Sequence, residues 1–163
     1  MAILRRTVAK TKFVGFLQGQ KLRITPQRRA IIDTVFSTAE HFTAGQLLKW
    51  SRRRDKSVSR ATVYRTLPLL TASGLVREMD LGRNYKFYDP NYADHPDHSH
   101  IICQDCDAIV EFESNPIKQA AGAMCQKLGF SMKTHRLQIT GSCEELKRLG
   151  KCARKKGVGG GAF

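Results

Sequence analysis

Apolar positions recur at helical spacing along the first half of the chain. Between Arg6 and Gln20, the residues Val8, Phe13, Val14 and Leu17 predict a short amphipathic helix with basic flanks, placed to dock on DNA or on the next helix. Thr25-Pro26 marks a helix start: threonine is a good cap, and proline in the first turn gives up an N–H that would have no partner there. That second helix buries Ile31, Ile32 and Val35 and stops near Ser37. Thr43 caps a third, with Leu47, Leu48 and Trp50 on its apolar side, and the basic loop Arg52-Arg53-Arg54-Asp55-Lys56 follows. A fourth begins near Ser59 and runs to Gly74, whose missing side chain suits a helix C-terminus. Pro68 falls inside it: an interior proline removes a hydrogen bond and kinks the axis at a cost of about 3 kcal/mol, so the part that reads DNA is expected to be Ser59 to Leu67.

The pattern then changes. Leu75 to Met79 and Tyr85 to Tyr88, joined by Leu81-Gly82-Arg83-Asn84, predict a β-hairpin. Helices followed by a hairpin make a winged helix. Asp89 to Ser99 holds two prolines, an asparagine and three aspartates, and reads as a hinge. Beyond it, Ile101-Ile102 and Ala108 to Phe112 predict strands, Ile117 to Leu128 a helix, and Phe130 to Thr140 a longer strand. The fold class is therefore α+β: a winged-helix domain at 1–88, a hinge at 89–99, an α/β domain at 100–150, and a basic Gly-rich tail at 151–163 that is expected to be disordered.

Charge sharpens this division. Residues 1–77 hold 16 Lys/Arg against 3 Asp/Glu, residues 78–146 hold 6 against 11, and residues 147–163 hold 6 against none. The first half is built to meet a polyanion, and clustered cations reward both nucleic acid and anionic membranes. No stretch approaches the ~20 apolar residues of a membrane span, so no membrane partner is expected and double-stranded DNA leads. Met1 to Gln20 lacks the uninterrupted apolar run of a secretory signal, and the expected location is cytoplasmic.

The fourth helix offers Ser59, Arg60, Thr62, Tyr64 and Arg65 at its N-terminal end, where recognition helices meet base edges. Thr62 and Tyr64 suit base edges or thymine methyls, and Arg60 and Arg65 suit bases or phosphates; the alternative is an ordinary solvated face.

Five cysteines suit a disulfide framework poorly. Cys103-Gln104-Asp105-Cys106 puts two thiols on one turn, half of a tetrahedral zinc site or a redox pair. Cys143 and Cys152, beyond the last strand, can complete four thiolates, whereas Cys125 is expected to be buried on its helix. His98-Ser99-His100 places two imidazoles on one side of an extended strand. With His41 ahead of the third helix and Glu111 after the Cys pair, an N/O site bridging the halves would suit Fe(II), Mn(II) or Zn(II). A redox enzyme is disfavoured, since neither thiol of the pair stands at a helix N-terminus that would lower its pKa.

Together, Leu22 to Arg29, His41-Phe42-Thr43-Ala44, Ala61 to Leu67 and His98-x-His100-x-x-Cys103-x-x-Cys106 closely resemble the ferric uptake regulator superfamily of bacterial metalloregulators, over about Leu22 to Cys143. The resemblance implies a homodimer, joined through the second domain, that grips a palindromic operator when a sensing metal is bound, as a repressor controlling iron homeostasis. By position, His41, His98, His100 and Glu111 look like the Fe(II) sensing site, with Mn(II) or Zn(II) able to substitute. Cys103, Cys106 and Cys143 look like structural zinc ligands, and Tyr64 and Arg65 like DNA contacts, with Lys21, Arg23 and Arg28 completing the DNA-binding set.

This chain departs from the family pattern in four places. Phe87 is followed by Tyr88 and then Asp89, where the family has a carboxylate or, in zinc sensors, a cysteine; either Asp89 enters the site or four ligands suffice. Cys143 is followed by Glu144-Glu145-Leu146, so Cys152 must bend back to close a zinc site. A further site is eroded: Asp97 and His135 remain, but Ser99 and Lys118 replace acidic residues, and no third functional metal site is expected. The hinge is slightly long and contains His95. Glu111 in place of an aspartate leans the reading toward iron; a peroxide, zinc or manganese sensor is the alternative.

Overall fold

Three helix caps organise the first half of the computed structural model, which describes residues 2–80, 82, 84–90 and 98–153. The hydroxyl of Thr25 accepts from the Arg28 N–H at 3.3 Å and Pro26 occupies the first turn, so α2 (Pro26–Val35) starts where the chain stops being extended. Thr43 and Gln46 form a reciprocal capping box at the head of α3 (Ala44–Arg52), and Ser59 caps α4 (Arg60–Ala72). The stripes these caps put in register, Ile31, Ile32 and Val35, Leu47, and Val63, Leu67 and Leu70, converge on one buried cluster.

The first helix, α1 (Ala2–Gly19), is longer than the segment Arg6 to Gln20 suggests. It docks on the other helices: Phe13 and Leu17 are fully buried in the same cluster, while Val8 stays exposed. Helix α4 ends at Ala72, close to the expected stop at Gly74, and it runs through Pro68 without a break. Pro68 and Tyr64, one turn before it, are both exposed, so the carbonyl deprived of its donor faces the side where water can replace it.

The expected hairpin forms from β2 (Arg77–Met79) and β3 (Phe87–Asp89), paired antiparallel. Leu81 and Arg83 of its turn lie outside the described residues. A strand the hydrophobic pattern does not reveal, β1 (Phe42–Thr43), adds to the other side of β3, giving the order β1-β3-β2. Phe42 stacks on Tyr88 at 5.8 Å and meets Trp50 edge-on at 6.2 Å.

The chain divides into two compact units, and the described residues of the second begin at 98. Here β4 (Ser99–Cys103) pairs antiparallel with β5 (Ile109–Phe112) and parallel with β6 (Gln138–Gly141). Helix α5 (Asn115–Lys127) connects β5 to β6, and α6 (Glu144–Leu149) follows β6. The long strand expected from Phe130 to Thr140 is therefore only its last part. Gly129, at φ +81°, lets the Phe130 N–H turn back to the Cys125 carbonyl at 2.8 Å and the Gly129 N–H to Gln126 at 3.0 Å. This Schellman closure of α5 holds Phe130 out of a strand. Cys125 is half-buried rather than buried, since no side chain of α5 is buried. Among the described residues, no helix is long and apolar enough to cross a membrane. Residues 91–97, with His95 and Asp97, and the tail from 154 onward lie outside the described residues, so the expected hinge is seen only at its ends: Asp89 closes β3 and Ser99 opens β4.

Candidate metal centres and nucleic-acid interface

Strand register builds a sulfur cluster in the second unit. Cys103 ends β4 and pairs with Gly141, the end of β6, so chain leaving β6 passes the Cys-x-x-Cys turn. That turn closes through Cys103 N–H to the Ala108 carbonyl (2.9 Å) and Asp107 N–H to the Cys103 carbonyl (3.1 Å), with Asp107 left-handed at φ +56°. Gln104 N–H reaches the Gly141 carbonyl at 2.9 Å, and the Asp105 carboxylate accepts from the Cys143 N–H at 2.6 Å. Cys143 is therefore held over the turn, where it also caps α6, its Sγ accepting from the Leu146 N–H at 3.3 Å. Gly150, at φ +66°, then reverses the chain, and the Ala153 N–H bonds Glu145 at 3.2 Å. Cys152 comes back to within 3.7 Å, sulfur to sulfur, of Cys106.

The sulfurs of Cys103, Cys106 and Cys143 lie within 4.8 Å of one another. Zinc–thiolate bonds of ~2.3 Å in a tetrahedron require sulfur–sulfur edges of about 3.8 Å, against about 2.0 Å in a disulfide. The 3.7 Å between Cys106 and Cys152 fits one edge of such a tetrahedron. Burial pushes the Cys106 thiol up to about 12, and the neighbouring Cys103 and Cys152 thiols reinforce this. As a bare thiol it would be a poor nucleophile, which tells against a redox pair; a divalent cation would supply the positive charge that clustered thiolates need.

A second donor set lies on the same sheet. His98 and His100 flank Ser99 on one side of the strand, with ring centroids 4.5 Å apart, and both are buried. Antiparallel register sets Glu111 opposite His100, and ligand atoms of the three residues lie within 4.8 Å of one another. In the first unit, pairing of Phe42 with Tyr88 brings His41 beside Asp89: His41 Nε2 stands 3.9 Å from Asp89 Oδ1, with the Asp89 side chain fully buried. Two imidazoles with a carboxylate, and an imidazole beside a carboxylate, are ligand types for Fe(II), Mn(II) or Zn(II). Of the eroded third site, Ser99 is buried and His135 half-buried.

Of the residues expected to meet DNA, Lys21, Arg23, Arg60, Tyr64 and Arg65 are exposed, and the first turn of α4 carries no acidic residue. Arg28 is half-buried, and its Nη1 donates to the Arg23 carbonyl at 2.5 Å, bracing the entry to α2. Ser59 and Thr62 are engaged in a closed network. Thr62 Oγ1–H donates to Gln27 Oε1 at 2.6 Å, and the Ser59 N–H donates to the same oxygen at 3.3 Å. Because the Thr62 hydroxyl proton is committed there, the 2.8 Å contact between the two hydroxyls takes its proton from Ser59, whose Oγ also accepts from the Thr62 N–H at 3.1 Å. Neither hydroxyl keeps a proton for a base. Gln27 is the residue sequence reasoning missed, because its partners lie 32 and 35 residues away.

Comparison with known proteins gives one consistent result. Residues 19–140 match the model of the "Ferric uptake regulator family". The chain is 34% identical over 128 residues to the ferric uptake regulation protein of Synechococcus elongatus, covering 77% of this chain and 86% of that one. It is also 34% identical over 132 residues to the peroxide operon regulator of Bacillus subtilis, covering 81% and 89%. Among solved structures, the ferric uptake regulator of Vibrio cholerae, described as revealing rearrangement of its DNA-binding domains, superposes with a TM-score of 0.67 at 25% identity, covering 78% of this chain and 96% of that one.

Proposed function

Since this chain belongs to the ferric uptake regulator family, we propose that it is a metal-dependent DNA-binding transcriptional regulator that senses Fe(II) and represses genes of iron homeostasis from the cytoplasm. The observation carrying this reading is the donor chemistry: a sulfur set fit for zinc and a separate nitrogen–oxygen set fit for iron. Cys103, Cys106, Cys143 and Cys152 hold a structural zinc that ties β4, β6 and α6 together. His98, His100 and Glu111 of the second unit, with His41 and Asp89 of the first, hold the regulatory Fe(II), and Mn(II) or Zn(II) can substitute.

A metal drawing ligands from both units favours whichever arrangement presents all of them, by its differential affinity for that arrangement. That arrangement is the DNA-competent one. Arg60, Tyr64 and Arg65 then meet base edges, while Lys21 and Arg23 hold phosphates; Arg28, Ser59 and Thr62 support them.

Homodimerisation has its own support. Register aligns Ile101 with Val110 and Ile139 across the second sheet, and these remain 39%, 37% and 39% exposed. Met124, Leu128 and Phe130 add further uncovered apolar surface. A second copy buries such a patch, and its two-fold symmetry calls for a palindromic operator.

One observation favours a second reading. Identity to the peroxide operon regulator equals that to the iron regulator, so a peroxide sensor is the alternative. Brief peroxide treatment of the Fe(II)-loaded protein, followed by peptide mass analysis, separates the two. Iron sensing predicts unmodified His41, His98 and His100, whereas one-oxygen additions at these histidines would establish the peroxide reading.

A further inference from the structure

Gln27 stands in the first turn of α2, directly after the Thr25 cap and Pro26. Helix α2 buries Ala30, Ile31, Ile32, Thr34 and Val35, so the backbone carrying Gln27 is fixed by the core. The side-chain oxygen of Gln27 accepts from both the Ser59 N–H and the Thr62 hydroxyl. Both donors belong to the N-terminal end of α4, at its cap and in its first turn. Only an acceptor atom can satisfy an N–H and a hydroxyl whose own lone pairs receive Ser59, so the chemistry itself orients the amide with its oxygen toward α4.

We infer that Gln27 is a positioning residue for DNA reading: its Oε1 latches the head of α4 to α2 and so sets the angle at which Arg60, Tyr64 and Arg65 meet base edges. The inference rests on the proposed DNA-binding role of α4. Along the rest of α4 the buried apolar contacts with the domain are those of Val63, Leu67 and Leu70, which are non-directional. The two bonds to Gln27 are directional and act at the end that reads DNA. A small tilt there misaligns contacts to bases but leaves the sequence-independent attraction of Lys and Arg for phosphates.

The test compares variants by the ratio of specific to non-specific affinity at fixed salt. The specific probe is a duplex enriched from a random-sequence pool by the wild-type protein with Mn(II), and the non-specific probe is mixed-sequence duplex of equal length. Gln27→Leu removes the acceptor and is expected to lower the ratio about ten-fold or more, given the usual net worth of two hydrogen bonds. Gln27→Glu keeps an acceptor oxygen for both donors, and its added charge weakens both probes alike, so the ratio is expected to recover. Melting temperature and far-ultraviolet circular dichroism of each variant report whether the domain remains folded.

An unchanged ratio in Gln27→Leu overturns the inference. So does a ratio that stays low in Gln27→Glu, which would place the effect on the amide N–H groups instead. Failure of the DNA-binding reading looks different: the wild-type protein then enriches no sequence at all.

Discussion

Replacing Cys152 by serine removes the proposed fourth zinc ligand, whose sulfur stands 3.7 Å from Cys106 beside the cluster of Cys103, Cys106 and Cys143. A serine hydroxyl stays protonated near neutral pH and is a poor zinc ligand. Structural zinc sites bind with roughly 10–16 kcal/mol. An equal share for each of four thiolates is about 2.5–4 kcal/mol, which weakens zinc by roughly 10²- to 10³-fold. The consequence should be local. Helix α6 spans six residues and buries none of them, far short of the length at which a helix stands alone, and it is pinned by Cys143 at its head and Cys152 beyond its end. Competition against a chromophoric zinc chelator at fixed pH reads the affinity. Hydrogen exchange reads α6, whose amides should lose protection while those of α2 and α4 keep theirs. If Cys152→Ser holds zinc as tightly as the unmodified chain while Cys103→Ser does not, the fourth ligand is not Cys152 and the account of α6 is wrong.

Three shorter predictions concern other parts of the molecule. His98→Ala is expected to abolish metal-dependent DNA binding while leaving zinc content and the dimer intact; a gel-shift titration that still responds to Fe(II) or Mn(II) would remove His98 from the sensing site. Ile101→Lys places a charge in the centre of the exposed stripe formed with Val110 and Ile139, and light scattering should show a shift from dimer toward monomer; an unchanged dimer would put the interface elsewhere. The Tyr88 phenol is raised from its usual 10 to about 12, chiefly by burial and then by the charge and hydrogen bond of Glu78, 3.3 Å away. Because the folded value exceeds the unfolded one, the neutral phenol contributes stability that is complete below pH 10 and lost as pH rises toward 12. Thermal unfolding should therefore fall more steeply over that interval for the natural chain than for Tyr88→Phe, and parallel curves would refute it.

Where structure follows local chemistry, it was legible in the sequence. Thr25-Pro26, Thr43 and Ser59 each announce a helix start, because a side-chain oxygen that satisfies an orphan N–H is a local device. The Cys-x-x-Cys turn and the His-x-His strand are legible for the same reason: their geometry needs only adjacent residues. Features set by distant partners were not. The two residues of β1 have no periodicity to display, and they become a strand only because β3 lies beside them. The chain after α5 looks like a strand from Phe130 onward, yet Gly129 commits Phe130 to closing the helix. Helix α6 is only six residues long, buries none of them and lies between two cysteines. Gln27 resembles any polar residue in a first turn until Ser59 and Thr62 arrive against it.

In the proposed mechanism, a metal held by His41, Asp89, His98, His100 and Glu111 governs DNA binding. The most direct test is the affinity of the zinc-replete protein for an enriched duplex at one fixed salt concentration, with Fe(II), with Mn(II) and with a chelator too weak to strip the sulfur site. Fixing the salt matters because counterion release alone shifts such affinities strongly. Fe(II) and Mn(II) are expected to tighten binding by about 5- to 150-fold, the usual span of an allosteric coupling, and His41→Ala to abolish the response. An affinity indifferent to metal and chelator alike would make this a zinc-stabilised DNA-binding protein that senses nothing.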